Sequence, residues 1–170
     1  MDILIKPYSF LLSSEYLLSQ ICLLDIDVFG VGNNWEANNF LSVLPMKNDL
    51  SFIACAGEKV VGYIVCSAYG IKEGLSAHIN RIGVHELYKN RKIGNELVRK
   101  FELMAKTYKI RSITLEFDKN LNVEKFYEKC GYEHITDKSS ISNYLKIKGK
   151  LEKRELYYNF NRKIYYKKII

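Results

Sequence analysis

A strand, a polar loop and an amphipathic helix follow one another in the middle of the chain, and this order restricts the possible folds most. Ala77 to Val84 is predicted as the strand, His85 to Lys92 as the loop, and the residues after Lys92 as a helix with one apolar face. Ile110 to Phe117 then alternates apolar and polar residues, as a half-buried strand does. Two strands joined by a crossover helix run parallel, so this segment predicts a β-loop-α-β unit.

The residues before this unit predict two helices and a hairpin. Apolar residues recur at helical spacing from Glu15 to about Asp27 and from Trp35 to about Leu44. Leu50 to Cys55 and Lys59 to Ala68 are rich in β-forming residues, and the short segment Ala56-Gly57-Glu58 between them predicts the turn of a hairpin.

The residues after the unit continue the α/β pattern. A short helix is predicted from Leu121 to Lys129, with Asn120 as its cap and Gly131 at its end. A strand near Tyr132 to Thr136, a polar stretch and a Tyr-rich strand near Tyr157 to Ile169 follow. No Pro- or Gly-rich linker and no internal repeat divides the sequence, so we predict a single α/β domain over residues 1–170.

Positive charge is concentrated in a basic, Tyr-rich C-terminal segment. The net charge is +7, and residues 138–170 hold ten Lys or Arg against two acids, a surplus of +8 that leaves −1 for residues 1–137. Such a segment can bind nucleic acid or a ribosomal surface through phosphate pairing and base stacking. Alternatively, its lysines solvate the outer face of ordinary strands, which their alternation with apolar residues favours. On that interpretation Lys146, Lys148 and Lys150 can be changed to Glu without loss of folding.

The cysteines, histidines and apolar runs exclude several classes of protein. The four cysteines form no CxxC pair and the three histidines show no metal-ligand spacing, so neither disulfides nor a metal site is predicted. The longest uncharged run, Val60 to Ile71, has 12 residues, whereas a membrane-spanning helix needs about 20. The N-terminus shows no secretory signal. We therefore expect a cytoplasmic protein without a membrane anchor.

The loop of the central unit has the features of a phosphate site. Backbone N–H groups at the start of a helix have no partner within that helix and attract anions. Lys89, Arg91 and Lys92 add positive charge around them. Any strand-loop-helix turn with basic residues would look similar, so these residues alone leave phosphate binding open.

Two motifs strengthen the phosphate interpretation. The loop places Val84, Lys89, Lys92 and Gly94 at the spacing Val-x-Pro-x-x-Arg-x-x-Gly-x-Gly/Ala, followed by a helix. The segment DKNLNVEKFYEKCGYEHI is similar to Asn-x-x-Ala-x-x-Leu-Tyr-x-x-x-Gly-Phe; its matching residues are Asn120, Val123, Phe126, Tyr127, Gly131 and Tyr132. Both motifs resemble the GNAT superfamily of acetyl-CoA-dependent N-acetyltransferases.

A third similarity indicates a particular branch of the superfamily. The segments NNWEANNFLSVL and FIACAGEKVVGYIV resemble the RimI-type enzymes, which acetylate the N-terminal alanine of ribosomal proteins. The resemblance covers about Ser14 to Thr136 and leaves the C-terminal segment unmatched. It departs from the family at Lys92, where the family has Gly, and at Lys89, where it has Arg or Gln.

The resemblance implies a fold and an activity. The fold is the α/β GNAT fold, with a mixed, mostly antiparallel, splayed sheet and helices on both faces. The activity is transfer of acetyl from acetyl-CoA, without a metal, to a protein or peptide amine. The first candidate acceptor is an N-terminal α-amine, followed by a lysine side chain or a small-molecule amine. A non-catalytic module that binds nucleic acid is the alternative, and either a monomer or a homodimer is compatible with the sequence.

The family's cofactor contacts map onto one strand end, one loop and one distant asparagine. In this sequence they are Ile82, Gly83, Val84, Lys89, Asn90, Arg91, Lys92, Ile93, Gly94, Asn95 and Asn120. Gly83, which has no side chain, would let the cofactor approach the backbone closely. A side chain at Lys92 costs about 1–2 kcal/mol if that residue needs a positive φ.

Three residues match the family's catalytic positions. Tyr127 matches the tyrosine that stabilises and protonates the departing thiolate. Glu116 matches the glutamate that serves as base in the RimI-type branch, and it is our first candidate for that role. His78 occupies the strand position where other branches carry a glutamate, and it can accept a proton at neutral pH.

Overall fold

The computed structural model describes residues 2–9, 14–43, 50–71, 74–152, 159 and 161–169. In order, the described elements are β1 Ile3–Pro7, α1 Glu15–Phe29, α2 Ala37–Ser42, β2 Phe52–Ala56, β3 Lys59–Ile71, β4 Gly74–Val84, α3 Ile93–Thr107, β5 Ile110–Asp118, α4 Glu124–Lys129, β6 Glu133–His134, α5 Lys138–Glu152 and β7 Arg162–Lys168. Short 3-10 helices lie at Glu86–Tyr88 and Lys119–Leu121.

The strands form one open, mixed sheet in the order β1-β2-β3-β4-β5-β7-β6. β2 pairs antiparallel with β1 and β3, and β7 pairs antiparallel with β5 and β6. β4 and β5 are neighbours in the sheet although α3 separates them in the sequence, as the central β-loop-α-β unit predicts. The predicted α/β class with a mixed sheet is therefore confirmed.

Residue contacts group the chain into two units. Unit 1 comprises Met1–Ser67 with Ile79–Tyr108, and unit 2 comprises Ala68–His78 with Lys109–Ile170. Strands β3 and β4 contribute residues to both units. The single domain over residues 1–170 stays a prediction.

The core of unit 1 forms where α1 and α2 pack on strands β2 and β3. Its fully buried members include Ile21 of α1, Phe40 of α2 and Tyr63 of β3. The turn between β2 and β3 is the predicted one, and Gly57 supplies the positive φ of 60° that it requires. Burial of these apolar faces, at about 25 cal/mol per Å², holds the helices on the sheet.

A buried ion pair joins four segments of unit 1. Asp25 of α1 is fully buried, and its carboxylate accepts hydrogen bonds from Nε and Nη2 of Arg81 on β4 at 2.9 and 2.7 Å. The Tyr63 hydroxyl and the backbone N–H of Trp35 also donate to Asp25. Arg81 donates in turn to the carbonyl of Asn33 at 2.6 Å. The pair therefore fixes the segment between α1 and α2 against the strands.

The structure corrects the sequence predictions at two elements. β1 was not predicted, because five residues that end at Pro7 give too short a pattern. Helix α5 lies where we predicted only a polar stretch. Asp137 begins it, since its carboxylate accepts hydrogen bonds from the Ser140 N–H at 2.8 Å and the Ser139 hydroxyl at 2.7 Å.

The predicted cap of α4 was also wrong. The helix begins at Glu124 after Val123, without a side-chain cap, because Asn120 lies in the preceding 3-10 turn and Asn122 reverses the chain at a φ of 50°. Gly131, in contrast, ends the helix with a φ of 83°, as expected. Leu44 and the first residues of the predicted Tyr-rich strand, at 157 and 158, lie outside the described residues.

Removing one member of the Asp25–Arg81 pair should destabilise the protein strongly. We expect Asp25→Ala to lower the free energy of unfolding by about 3–5 kcal/mol, because the guanidinium of Arg81 would lose its buried counter-charge. Urea denaturation monitored by circular dichroism measures this loss. The double variant Asp25→Leu/Arg81→Met removes both charges and should recover only part of it, because the Tyr63 hydroxyl and the Trp35 N–H still lose their acceptor. An equal loss in the single and double variants would show that the charges are not coupled.

Candidate active site

The loop before α3 has the backbone geometry of an anion site. Asn90 and Lys92 have left-handed φ angles of 63° and 61°, and Arg91 between them does not. Such alternation turns successive N–H groups toward one concave side of the chain. The first hydrogen bond within α3 runs from Glu96 N–H to the Lys92 carbonyl at 3.0 Å, so the amide of Ile93 precedes the ladder.

Three cations surround this loop, although one of them already has a partner. Lys89 forms a surface ion pair with Glu86, which offsets its charge. The guanidinium of Arg91 lies 5.2 Å from the ring centre of Tyr88, and Lys92 is exposed at the start of α3. The backbone donors and the remaining positive charge fit a pyrophosphate group. The structure thus brings the predicted residues 89–95 into one loop and helix start.

Gly83 has a packing role that the sequence did not reveal. A Cβ atom at this position would lie 2.9 Å from Cε1 and 3.0 Å from the hydroxyl oxygen of Tyr63. Tyr63 is fully buried and donates its hydroxyl hydrogen to Asp25, so the ring cannot move away without breaking that bond. The absence of a side chain at Gly83 therefore serves the core of unit 1. Cofactor contact by Ile82, Gly83 and Val84 stays a prediction.

Glu116 of β5, in unit 2, lies in an ion cluster. Its side chain is 12% exposed and pairs with Lys148 of α5 and with Nη1 of Arg162 of β7, the latter at 2.9 Å. The hydroxyl of Tyr144 donates to the same carboxylate at 3.1 Å. Burial acts to raise the pKa of Glu116, but the positive charges of Lys148 and Arg162 outweigh it and hold the pKa below its ordinary value. Glu116 is therefore ionised at neutral pH.

His78 of β4 is buried beside the same cluster. Its Nδ1 lies 2.9 Å from the hydroxyl of Thr114, which in turn lies 3.2 Å from the hydroxyl of Tyr69. The rings of His78 and Tyr144 are 5.9 Å apart. Burial, reinforced by the charge of Lys148, lowers the pKa of His78 to about 4, so the imidazole is neutral at pH 7. Tyr144 thus contacts both candidate bases.

Sequence reasoning missed the residues that hold Glu116. Tyr144 and Lys148 lie one helical turn apart on α5, and Ile141 lies one turn before Tyr144. This spacing is typical of a helix and could have revealed α5. The prediction that Lys146, Lys148 and Lys150 can become Glu without loss of folding stays a prediction. At position 148 the new carboxylate would replace a cation that pairs with Glu116.

Tyr127 and Asn120 lie in different surroundings within unit 2. Tyr127 is buried on α4, where its ring stacks on Phe117 at 5.4 Å and meets the edge of Tyr132 at 6.0 Å. Asn120 is exposed in the 3-10 turn that precedes α4. Tyr127 therefore belongs to an aromatic core. The catalytic role of its hydroxyl stays a prediction.

Two further classes of site were sought in the described ranges. No group of three or more His, Cys, Asp or Glu side chains in them could hold a metal ion. None of the helices within the same ranges is long and apolar enough to cross a membrane.

Solved structures share this fold at low sequence identity. The ribosomal-protein-S18-alanine N-acetyltransferase of Escherichia coli is 14% identical with a TM-score of 0.68, over 99% of this chain and 94% of that one. Naa50 of Arabidopsis thaliana, in complex with the bisubstrate analogue CoA-Ac-MVNAL, is 20% identical with a TM-score of 0.69, over 98% and 99%. Ard1 of Thermoplasma volcanium is 16% identical with a TM-score of 0.70, over 100% and 99%. At these identities the likeness concerns the fold alone.

A family profile gives the stronger evidence. No curated protein matches the sequence at a significant level. The acetyltransferase (GNAT) family, however, matches residues 20–132, more than half of the chain, and this range includes both motifs. The chain therefore belongs to the acetyltransferase (GNAT) family and is an acetyl-CoA-dependent N-acetyltransferase, as those motifs predict.

Proposed function

We propose that the protein transfers acetyl from acetyl-CoA to the α-amine of a protein or peptide N-terminus. The observation that carries this proposal is that both candidate bases are weak. Lys148 and Arg162 hold the pKa of Glu116 low, and burial lowers the pKa of His78 to about 4. A weak base suits an acceptor that loses its proton readily.

The two protein amines differ greatly in this respect. An α-amine with a pKa near 8 is neutral in about one molecule of ten at pH 7, whereas a lysine with a pKa near 10.4 is neutral in about one of 2,500. A lysine acceptor would therefore demand about 3 kcal/mol more from the base.

Two solved structures with this fold agree with an N-terminal acceptor. One is named as an N-acetyltransferase of a ribosomal-protein alanine, and the other was solved with the analogue CoA-Ac-MVNAL. Both are proteins of low identity to this chain, so they support the proposal through the fold.

In the proposed reaction, separate residues bind acetyl-CoA, accept the proton of the amine and stabilise the leaving sulfur. The loop from Lys89 to Asn95 binds the pyrophosphate of acetyl-CoA, which supplies the thioester when bound. Glu116 or His78 receives the proton that the amine loses, directly or through water. Tyr127 donates a hydrogen bond to the leaving sulfur; its ordinary pKa of about 10 against about 8.5 for a thiol makes full proton transfer uphill.

A nucleic-acid role for the C-terminal segment is less well supported. Several of its cations are used within unit 2, since Lys148 and Arg162 pair with Glu116 and Lys163 pairs with Glu124. Lys167 donates to the carbonyl of Cys130. These contacts reduce the charge that remains for phosphates.

Replacing Lys92 with Gly should affect stability and cofactor binding in opposite directions. Relief of the left-handed conformation should raise the free energy of unfolding by about 1 kcal/mol, and loss of the cation should weaken acetyl-CoA binding about two- to fivefold. Urea denaturation and calorimetry measure the two effects. Lys109→Gly is the matched control, because Lys109 also is exposed with a left-handed φ of 55° and loses the same charge outside this loop, and it should leave the affinity unchanged. Undiminished binding by Lys92→Gly would exclude Lys92 from the pyrophosphate site.

Replacing Lys148 with Met should shift the pH dependence of catalysis. Glu116 accepts a proton only when ionised, so its pKa sets an acid limb of the kcat/KM profile below the limb that deprotonation of the acceptor amine sets. Without Lys148 the burial of Glu116 is less well opposed, its pKa rises, and the limb should move to higher pH. Lys146→Met, on the same helix but exposed, is the control. An unmoved limb in Lys148→Met would mean that Glu116 is not the base.

Acceptor choice is tested with two matched peptides. We expect a lysine-free peptide with a free N-terminus to be acetylated faster than an N-blocked peptide with one lysine, because its amine is neutral far more often. Mass spectrometry of the products measures both rates between pH 6 and 9, and the Tyr127→Phe variant should lower both. Equal or faster acetylation of the blocked peptide would contradict the N-terminal proposal.

A further inference from the structure

Unit 2 contains a cavity under helix α5 that none of the functions above uses. Its volume is about 400 Å³, which is in the range of ligand pockets. Tyr69 and Thr114 line it from the strands, Asn143 and Tyr144 line it from α5, and Glu133 of β6 and Asp137 at the start of α5 also line it. We call this space the α5 cavity.

The charge of the α5 cavity opposes that of the surrounding segment. Residues 138–170 carry a surplus of +8, yet the described residues that line the cavity include two carboxylates and no Lys or Arg. Glu133 is exposed. Hydrogen bonds from Ser140 and Ser139 lower the pKa of Asp137 to about 2, so the Asp137 carboxylate is ionised at neutral pH.

The cavity adjoins both candidate bases. Thr114, in its wall, lies 2.9 Å from Nδ1 of His78. Tyr144, which lines the cavity from α5, donates to Glu116 at 3.1 Å. A group in the cavity is therefore separated by one side chain from the place where the acceptor amine loses its proton.

We propose that the α5 cavity binds a basic side chain of the acceptor peptide, Lys or Arg, close to its N-terminus. This inference rests on the proposed function and names the acceptor class for it. The aliphatic stem of a basic residue packs against the rings of Tyr69 and Tyr144, and its charged end meets Glu133 and Asp137. An acidic side chain would face both carboxylates, and no Lys or Arg is among the described residues that line the cavity.

Peptide binding tests the cavity independently of catalysis. We would measure by fluorescence anisotropy the affinity of N-acetylated, product-like pentapeptides with Lys, Ala or Glu at positions 2 and 3, in the presence of CoA. The expected order is Lys, then Ala, then Glu, with Lys about tenfold tighter than Glu, as one cation–π contact and one exposed ion pair would give. The protein's net charge of +7 would by itself produce the opposite order.

Matched variants locate the preference. Asn143→Trp places a large ring at an exposed helix position that lines the cavity and should remove the preference for Lys, whereas Ser142→Trp, its exposed neighbour that does not line the cavity, should keep it. Glu133→Gln should reduce the preference about threefold through loss of one charge. Glu58→Gln, an exposed charge change in unit 1, should not alter it.

The outcomes separate the inference from the function on which it rests. Equal binding of the Lys and Glu peptides by the unmodified protein, or an intact preference in Asn143→Trp, would overturn the inference. Acetylation of the same peptides with a free N-terminus tests the N-terminal function by itself. N-terminal acetylation without any preference for Lys would support the N-terminal function and refute the binding of a basic side chain in the α5 cavity.

Discussion

A carboxylate that lies largely out of water needs opposite charge close by, and Glu116 determines much of unit 2 through this requirement. The charges come from Lys148 and Arg162, which stand 14 residues apart in the sequence on α5 and β7. The pairing brings two C-terminal elements to one residue of β5. The same ion pairs keep Glu116 ionised and weakly basic. The contacts that stabilise the buried carboxylate therefore also determine how strong a base it can be.

The fold could be predicted from the sequence where the patterns are local. The β-loop-α-β unit, the hairpin at Gly57 and the end of α4 at Gly131 follow from periodicity and from residues that favour turns. β1 could not be predicted because a five-residue edge strand depends on pairing with β2. Helix α5 was missed because its Ser, Asn and Gly residues lower helix propensity, which capping by Asp137 and packing of Tyr144 offset.

The candidate site divides in the same way. The loop from Lys89 to Asn95 could be identified because its donors and cations are consecutive in the chain, and the left-handed φ of Lys92 occurs at a position where the family has Gly. The partners of Glu116 and His78 come from distant segments, so they cannot be predicted from a spacing in the sequence. These partners change the pKa values of Glu116 and His78, because a pKa depends on burial and on neighbouring charge.

The contact between Gly83 and Tyr63 has a consequence for how this protein can diverge. Even a methyl group at position 83 would collide with the Tyr63 ring, which is held in place by its bond to Asp25. A relative that carries a larger residue at 83 must therefore have a smaller one at 63, and it then needs another donor for the carboxylate at 25. Positions 25, 63 and 83 should therefore covary across related sequences. A change at one of them should be accompanied by changes at the other two.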